Sequence, residues 1–370
     1  MSYEMLARHS SVMTAPADCP SPLDIPPPGA AAVAPALVAP AAPADVAGDR
    51  GPGGDGTAHR ASSPLRRWFG GWRSRFLTLS LIWGFSFLFI KVGTEAFSPL
   101  QVTLGRMACG TLVLAAALAV RRDRLPRSPR TLARLLVASF LLNALPFSLF
   151  AYAELTIPST LAGICNATTP LFSMVLSFVA LSEDRPTRRR VAGAGIGFAG
   201  VMTVLGVWQG FSGEDPRGTA LALVAAASYA VGWIWVRRTL AGVPESSLSL
   251  STAQLGLGTV QLAIAVPLFT SAPAGFPVRC VLAVVALGTL GTGLAYLLQY
   301  DLVKQAGPTI ATMVTYVVPV IATAAGVLVL HEGLSWNEPV GALVVLAGAA
   351  IAQTRTRSAG KPGKPGGGTS

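Results

Sequence analysis

Lys91 and Arg106 are the two cations of this 370-residue chain that fall inside long apolar stretches. Arg106 stands seven residues past Pro99, about 10 Å along a helix. At such depth in a bilayer an arginine costs a few kcal/mol (about 3 on insertion scales) unless something meets its charge. Two chemistries fit it: gripping a solute carboxylate, for which the guanidinium fork is shaped, or tying neighbouring helices together. A carboxylate, a carbonyl or water is expected beside it, and Glu95 and Glu154 are the nearest acids in sequence. Lys91 lies one turn before Glu95. It either pairs with that carboxylate at i, i+4 or snorkels toward the surface. Enzyme chemistry finds little footing. The three histidines (His9, His59, His331) are scattered, the four cysteines show no paired spacing, and HExxH, GxSxG and P-loop patterns are missing. No metal, no cofactor and no ATP-driven step is expected. The sequon Asn166-Ala-Thr168 lies within an apolar run, where glycosylation does not reach.

Uncharged polar residues form the second set. Pro170 precedes Glu183 by 13 residues, and Pro319 precedes Glu332 by the same interval, 149 residues later. Gly193 and Gly200 recur as Gly341 and Gly348 at an offset of 148. At 149, Asn143, Phe147, Phe150 and Glu154 align with Thr292, Tyr296, Gln299 and Val303. Ser159, Gly163, Asn166 and Pro170 align with Pro308, Thr312, Thr315 and Pro319. Each set steps by 4, 3 and 4 residues, one stripe on a helix. Intramembrane polar groups face a bundle interior or a water-filled path, so these stripes either line a central cavity or glue helices together. The cavity candidates are Asn143, Phe147, Asn166, Tyr296, Gln299, Thr312 and Thr315. Pro170 and Pro319 are expected to kink their helices and to free the carbonyls of Asn166 and Thr315, four residues earlier.

The elements that carry these residues are apolar. The chain is 52% hydrophobic and 12% charged, against about 25% charged for a soluble domain. A soluble two-domain enzyme is therefore excluded. Ten apolar segments approach the length a bilayer requires. They are 76–95, 99–120, 135–153, 158–181 and 191–208, then 218–236, 248–269, 281–303, 308–330 and 336–353. The net charge of +11 resides in short basic clusters between them, the pattern of membrane orientation rather than of nucleic-acid binding. With the N-terminus inside, the inner segments hold 21 Lys and Arg, and the outer loops hold Arg217 and Arg279. Both termini are thus expected in the cytoplasm of a multi-pass cell-membrane protein. Residues 1–65, with 11 prolines, and 354–370 read as disordered cytoplasmic tails.

Five spans per half is an odd number, so the halves must insert in opposite senses, as inverted repeats do. The expected fold is an all-α integral membrane protein of ten transmembrane helices in two inverted five-helix repeats, 76–208 and 216–353. Trp83-Gly-Phe-Ser-Phe-Leu-Phe-Ile-Lys-Val-Gly93, Ile164-Cys-Asn-Ala-Thr-Thr-Pro-Leu-Phe172 and the pairing of Pro170 with Glu183 resemble the EamA family of the drug/metabolite transporter superfamily. Thr292-Gly-Leu-Ala-Tyr-Leu-Leu298, Thr315-Tyr-Val-Val-Pro319 and the span Gly341 to Gly348 resemble its second copy. The family's usual glycine before each glutamate is Ser182 and His331 here. The resemblance implies a cytoplasmic-membrane carrier, commonly an exporter of metabolites, amino acids or drugs. Its partners would be a small-molecule solute and the lipid bilayer, with a homodimer compatible. The leading reading is a carrier whose halves rock about a cavity formed by spans 3, 4, 8 and 9. The alternative is a channel or a membrane-embedded interaction protein. Few charges and several prolines on the stripes favour the carrier over a channel's continuous polar pore.

Overall fold

The structure, a computed structural model, describes residues 71–180, 188–204, 206 and 215–353. Both tails, Glu183 and the side chain of Thr312 lie outside the described residues. All described regular structure is helical. In the first half α1 is Trp72–Thr94 and α2 Pro99–Val120. α3 (Pro129–Ser139) runs through a π-helical turn, π1 (Phe140–Ala144), into α4 (Leu145–Ala153). α5 (Ser159–Asn166), α6 (Thr169–Ala180) and α7 (Arg188–Val204) follow. In the second half α8 is Pro216–Thr239 and α9 Ser247–Phe269. α10 (Val278–Gly288), π2 (Thr289–Leu294) and α11 (Ala295–Ala306) form one rod, followed by α12 (Pro308–Val329) and α13 (Asn337–Gln353).

Helix starts are written locally. Ser98 caps α2 in a capping box with Gln101, and Pro99 occupies the first turn. Ser128, Asp215 and Ser246 accept backbone N–H groups at the heads of α3, α8 and α9. Among the described residues seven segments are long and apolar enough to cross a bilayer, including the continuous rods Pro129–Ala153 and Val278–Ala306. Three shorter apolar stretches are Val191–Val204, Met313–Val329 and Asn337–Ile351. Their outer faces are apolar as well. On α9, Val260, Ile264 and Leu268 are exposed, Leu268 by 70%. A surface of that kind suits lipid rather than water.

The two halves pack into one another. α1 lies on α12 and on the α10–π2–α11 rod, α2 on α9, α8 on α4 and α6, and α5 on α12. The tightest seam joins α7 to α13. A methyl group at Gly200 would lie 2.9 Å from the Gly341 carbonyl oxygen, and one at Gly348 would lie 2.6 Å from the Gly193 carbonyl oxygen. The two glycine pairs of the repeat thus close on each other and let the backbones touch. His331, where the resemblance implies glycine, has a φ of +54°, the left-handed conformation that glycine serves, and Ser182 lies outside the described residues.

The prolines act unequally. The helix breaks at Ala167 and Thr168 just before Pro170, separating α5 from α6, whereas α12 continues through Pro319. The carbonyl of Asn166 is not left free as expected, because the Thr169 hydroxyl donates to it at 2.8 Å.

Candidate functional site

Between the halves lies a cavity of about 180 Å³. α1 contributes Trp83, Ser86, Phe87 and Ile90, one helical stripe. α2 contributes Arg106, and the π1–α4 segment Leu142, Phe147 and Phe150. Asn166, Thr169, Pro170 and Ser173 enter from around the α5–α6 break. From the second half come Tyr229 and Trp233 of α8, Gln254 of α9, Gly291, Tyr296 and Gln299 of the π2–α11 rod, and Ala311, Thr315 and Val318 of α12.

Five sequence candidates, Phe147, Asn166, Tyr296, Gln299 and Thr315, therefore line one space. Asn143 stands behind the wall. Its Nδ2 donates to the Tyr296 hydroxyl at 2.8 Å, and its Oδ1 accepts from Gln254 Nε2 at 2.7 Å. Ser159 and Gly163, on the same stripe as Asn166, are not wall residues. Ser159 is held by Glu332 at the head of α5, and Gly163 packs against Ala322 and Phe87. The expectation that spans 3, 4, 8 and 9 form the cavity is also too narrow, because spans 1, 2, 6 and 7 supply Trp83, Arg106, Tyr229, Trp233 and Gln254. A signal for some of them was present. Ser98 and Ser246 are both helix caps, and Arg106 and Gln254 each lie eight residues beyond their cap.

Arg106 is 8% exposed. Of the carboxylate, carbonyl or water expected beside it, no carboxylate is hydrogen-bonded to it among the described residues. Nε donates to Thr292 Oγ1 at 2.9 Å, and the guanidinium carbon sits 3.7 Å from the centre of the Phe147 ring. A hydroxyl and a π face take the place of an anion. Thr292 lies in π2 as Asn143 lies in π1, so both wide turns carry a polar residue behind the cavity wall. Such turns recur at functional sites because they re-aim side chains within a helix.

Lys91 does not pair with Glu95 but reaches toward the same end of the molecule, where the chain links α4 to α5. Its Nζ donates to the carbonyls of Glu154 at 2.5 Å and Ile157 at 3.1 Å. These lie just past the last turn of α4, where carbonyls lack intrahelical partners. Glu95 is paired with Arg279 instead. The Glu154 side chain is fully buried, and among the described residues neither carboxylate oxygen has a hydrogen-bond partner. Glu332 reaches back to the head of α5. It accepts from the Ser159 N–H at 2.8 Å and hydroxyl at 3.0 Å, and from the Thr160 N–H at 3.0 Å and hydroxyl at 2.7 Å. Gly288, Gly291 and Gly293 pack closely on Cys109, Ser86 and Val113 respectively. Among the described residues no group of three metal-ligating side chains converges.

A cavity walled by helices of both halves in an apolar exterior is the architecture of a membrane transporter. The model of the EamA-like transporter family matches residues 74–206 and again 216–354. The chain belongs to the EamA-like transporter family. It is 30% identical over 263 residues to the uncharacterized inner membrane transporter YedA of Escherichia coli K12, covering 70% of this chain and 82% of that protein. The uncharacterized transporter YoaV of Bacillus subtilis is 24% identical over 274 residues, with coverages of 74% and 93%. A protein of Streptantibioticus cattleyicolor named a probable terminal-alkyne amino-acid exporter is 26% identical over 301 residues, with coverages of 78% and 97%. A solved crystal structure shares the fold with a TM-score of 0.54 at 23% identity, over 76% of this chain and 96% of the other. The chain is thus a multi-pass membrane transporter.

Proposed function

We propose that this transporter is a secondary carrier, an exporter of a small organic solute, which alternately opens the cavity to the two sides of the cytoplasmic membrane. Ten spans form two inverted repeats, 76–208 and 216–353, with both termini inside. The observation that carries this reading is the cavity's position among packing contacts that repeat when the halves are exchanged. α1 on α12 has its counterpart in α8 on α5 and α6, and α1 on the α10–π2–α11 rod has its counterpart in α8 on α4 and π1. The pairs α2–α9, α5–α12 and α7–α13 map onto themselves. The π turns begin at Phe140 and Thr289, 149 residues apart, the offset of the prolines. Two equivalent halves give two equivalent packings, and rocking between them exposes a midplane site to one side at a time. The three shorter apolar stretches supply the fifth, ninth and tenth spans. The named exporter among the relatives supports outward flux. The chain has no P-loop, so a gradient is the expected drive.

Single cysteines at 166 and 315, in a background without Cys19, Cys109, Cys165 and Cys280, should react with a small polar thiol reagent. Cysteine at 328 should react slowly, since Leu328 is 74% exposed on the lipid-facing exterior, and so should cysteine at 344. In proteoliposomes a transported solute should show saturable counterflow, which a channel does not. Equal inertness at 166, 315 and the controls, or flux without counterflow, would overturn the carrier.

A further inference from the structure

The wall of the cavity holds one charged side chain, Arg106, and no acid. Its Nε is committed to Thr292 and one face to the Phe147 ring, which fixes the plane of the guanidinium. Among the described residues its two Nη groups have no hydrogen-bond partner and no ion pair. Those groups form the end of the fork that takes a carboxylate with two parallel bonds. A second donor stands one turn away on the Thr292 rod. Gln254 donates to Asn143 and Asn143 donates to the Tyr296 hydroxyl, so that hydroxyl has accepted once and keeps its own proton to give. The relay runs from Gln254 in the wall through Asn143 behind it and ends on the Tyr296 hydroxyl, a donor back in the wall. An unmatched cation and a free donor in a low-dielectric wall call for an acceptor carrying negative charge. One side of the space is aromatic, where Phe150 stacks on Tyr229 at 6.3 Å beside Trp83, Phe87 and Trp233, and the polar Ser86, Asn166, Thr169, Ser173, Gln299 and Thr315 are also in the wall. An apolar body fits against that side, and an organic cation meets the like charge of Arg106, since among the described wall residues there is no acid and the buried Glu154 lies one turn beyond Phe150, outside the wall.

We infer that the cavity takes an organic anion, a carboxylate on an apolar or aromatic body, held by the Arg106 guanidinium and the Tyr296 hydroxyl. The inference rests on the transporter reading for its biological sense and names the solute class that the reading leaves open.

The test is equilibrium binding to the purified full-length protein. Labelled phenylacetate and indole-3-acetate are competed against their amides, phenylacetamide and indole-3-acetamide, and against the amines phenethylamine and tryptamine. Each acid should bind at least about ten-fold tighter than its amide, the worth of one charge-assisted hydrogen bond, and the amines should not compete. Arg106→Gln should bring the acid-to-amide ratio to about one, Arg106→Lys should keep a reduced preference, and Tyr296→Phe should weaken the acids several-fold. Equal binding of acid and amide by the wild-type chain overturns the inference, as does binding by none of the six probes. So does an Arg106→Gln variant that keeps the full preference; where that variant does not fold, the wild-type ratios and Tyr296→Phe decide. Counterflow separates the two readings. Acids that bind without moving leave the anion site standing and sink the carrier, while amides and amines that move as well as acids do the reverse.

Discussion

Glu332 illustrates how much a single side chain fixes at one end of the molecule. Its carboxylate accepts four bonds from Ser159 and Thr160 at the head of α5, and it joins the second half of the chain to the first. Two of those donors are backbone N–H groups that a helix start cannot satisfy internally. Ser159 and Thr160 are buried at 1% and 0% exposure, so water does not replace the acceptor. The helix dipole favours negative charge at the same place. Glu332→Ala should therefore destabilise the protein by about 3 kcal/mol, within the range for charged hydrogen bonds left unmade. Glu332→Gln keeps one acceptor oxygen and should lose about half as much. Thermal unfolding in detergent measures both, and an Ala variant that melts with the wild type would refute the cap. Lys91 makes the matching statement from the other charge. Its ammonium closes the carbonyl end of α4 just before the chain turns into α5. Sequence proximity pointed to Glu95, but that carboxylate is taken by Arg279, 184 residues away. Partners of this kind are set by which helix ends meet, and local spacing does not encode them.

At the scale of elements, the glycines of the α7–α13 seam and the polar stripes were legible for the same reason. Each repeats at a fixed offset with a helical period, so the pattern is visible twice in one chain. The cavity contributions of α1, α2, α8 and α9 were less so. The link from Thr94 to Ser98 is shorter than the link from Thr239 to Ser246, so one offset cannot hold both the first two spans and the later ones in register. The π turns left no trace either, since one extra residue in a helix does not disturb a hydrophobic period enough to be read. The seam makes a sharp prediction because α7 contains its own control. A methyl group at Gly195 meets nothing within 4 Å, whereas one at Gly200 meets the backbone of Gly341 and Val345. Gly195→Ala should be neutral or stabilising by up to about 1 kcal/mol, through helix propensity alone. Gly200→Ala should cost about 1–3 kcal/mol, the usual penalty of overpacking where backbone cannot yield. Unfolding temperatures of the two variants compared side by side test it. Equal melting would mean that α7 and α13 do not touch as described.

Taken whole, the molecule has two chemically different poles. At one end Glu95 meets Arg279, Gln101 donates to the Ser271 carbonyl, Glu332 caps α5, and Asp215 caps α8. At the other, Arg75 reaches Asp301 and Gln305, Arg134 donates to the Thr239 carbonyl, and Ser249 donates to the Arg124 carbonyl. The loops sorted to the second end by these contacts are those that the alternation of spans assigns to the inside, and they carry the arginine clusters 121–134 and 237–238. The Asp215 carboxylate at the acidic pole is held below the ordinary aspartate range, first by the Arg217 N–H and then by the Thr156 hydroxyl, so it stays charged there. Lys and Arg within about 15–20 residues of the spans set orientation because they resist translocation. The sequence count of 21 inner against two outer basic residues therefore predicts a single stable insertion. Epitope tags inserted in the 121–134 loop and at Gly363 should be reached only in permeabilised cells, and a tag at Gly213 should be reached in intact ones. Replacing Arg121, Arg122, Arg124 and Arg127 with glutamine should leave the orientation in place, because the remaining inner clusters still outnumber the outer arginines. A Gly363 tag exposed on intact cells would mean an odd number of crossings, and the inverted pairing of the two halves would fall with it.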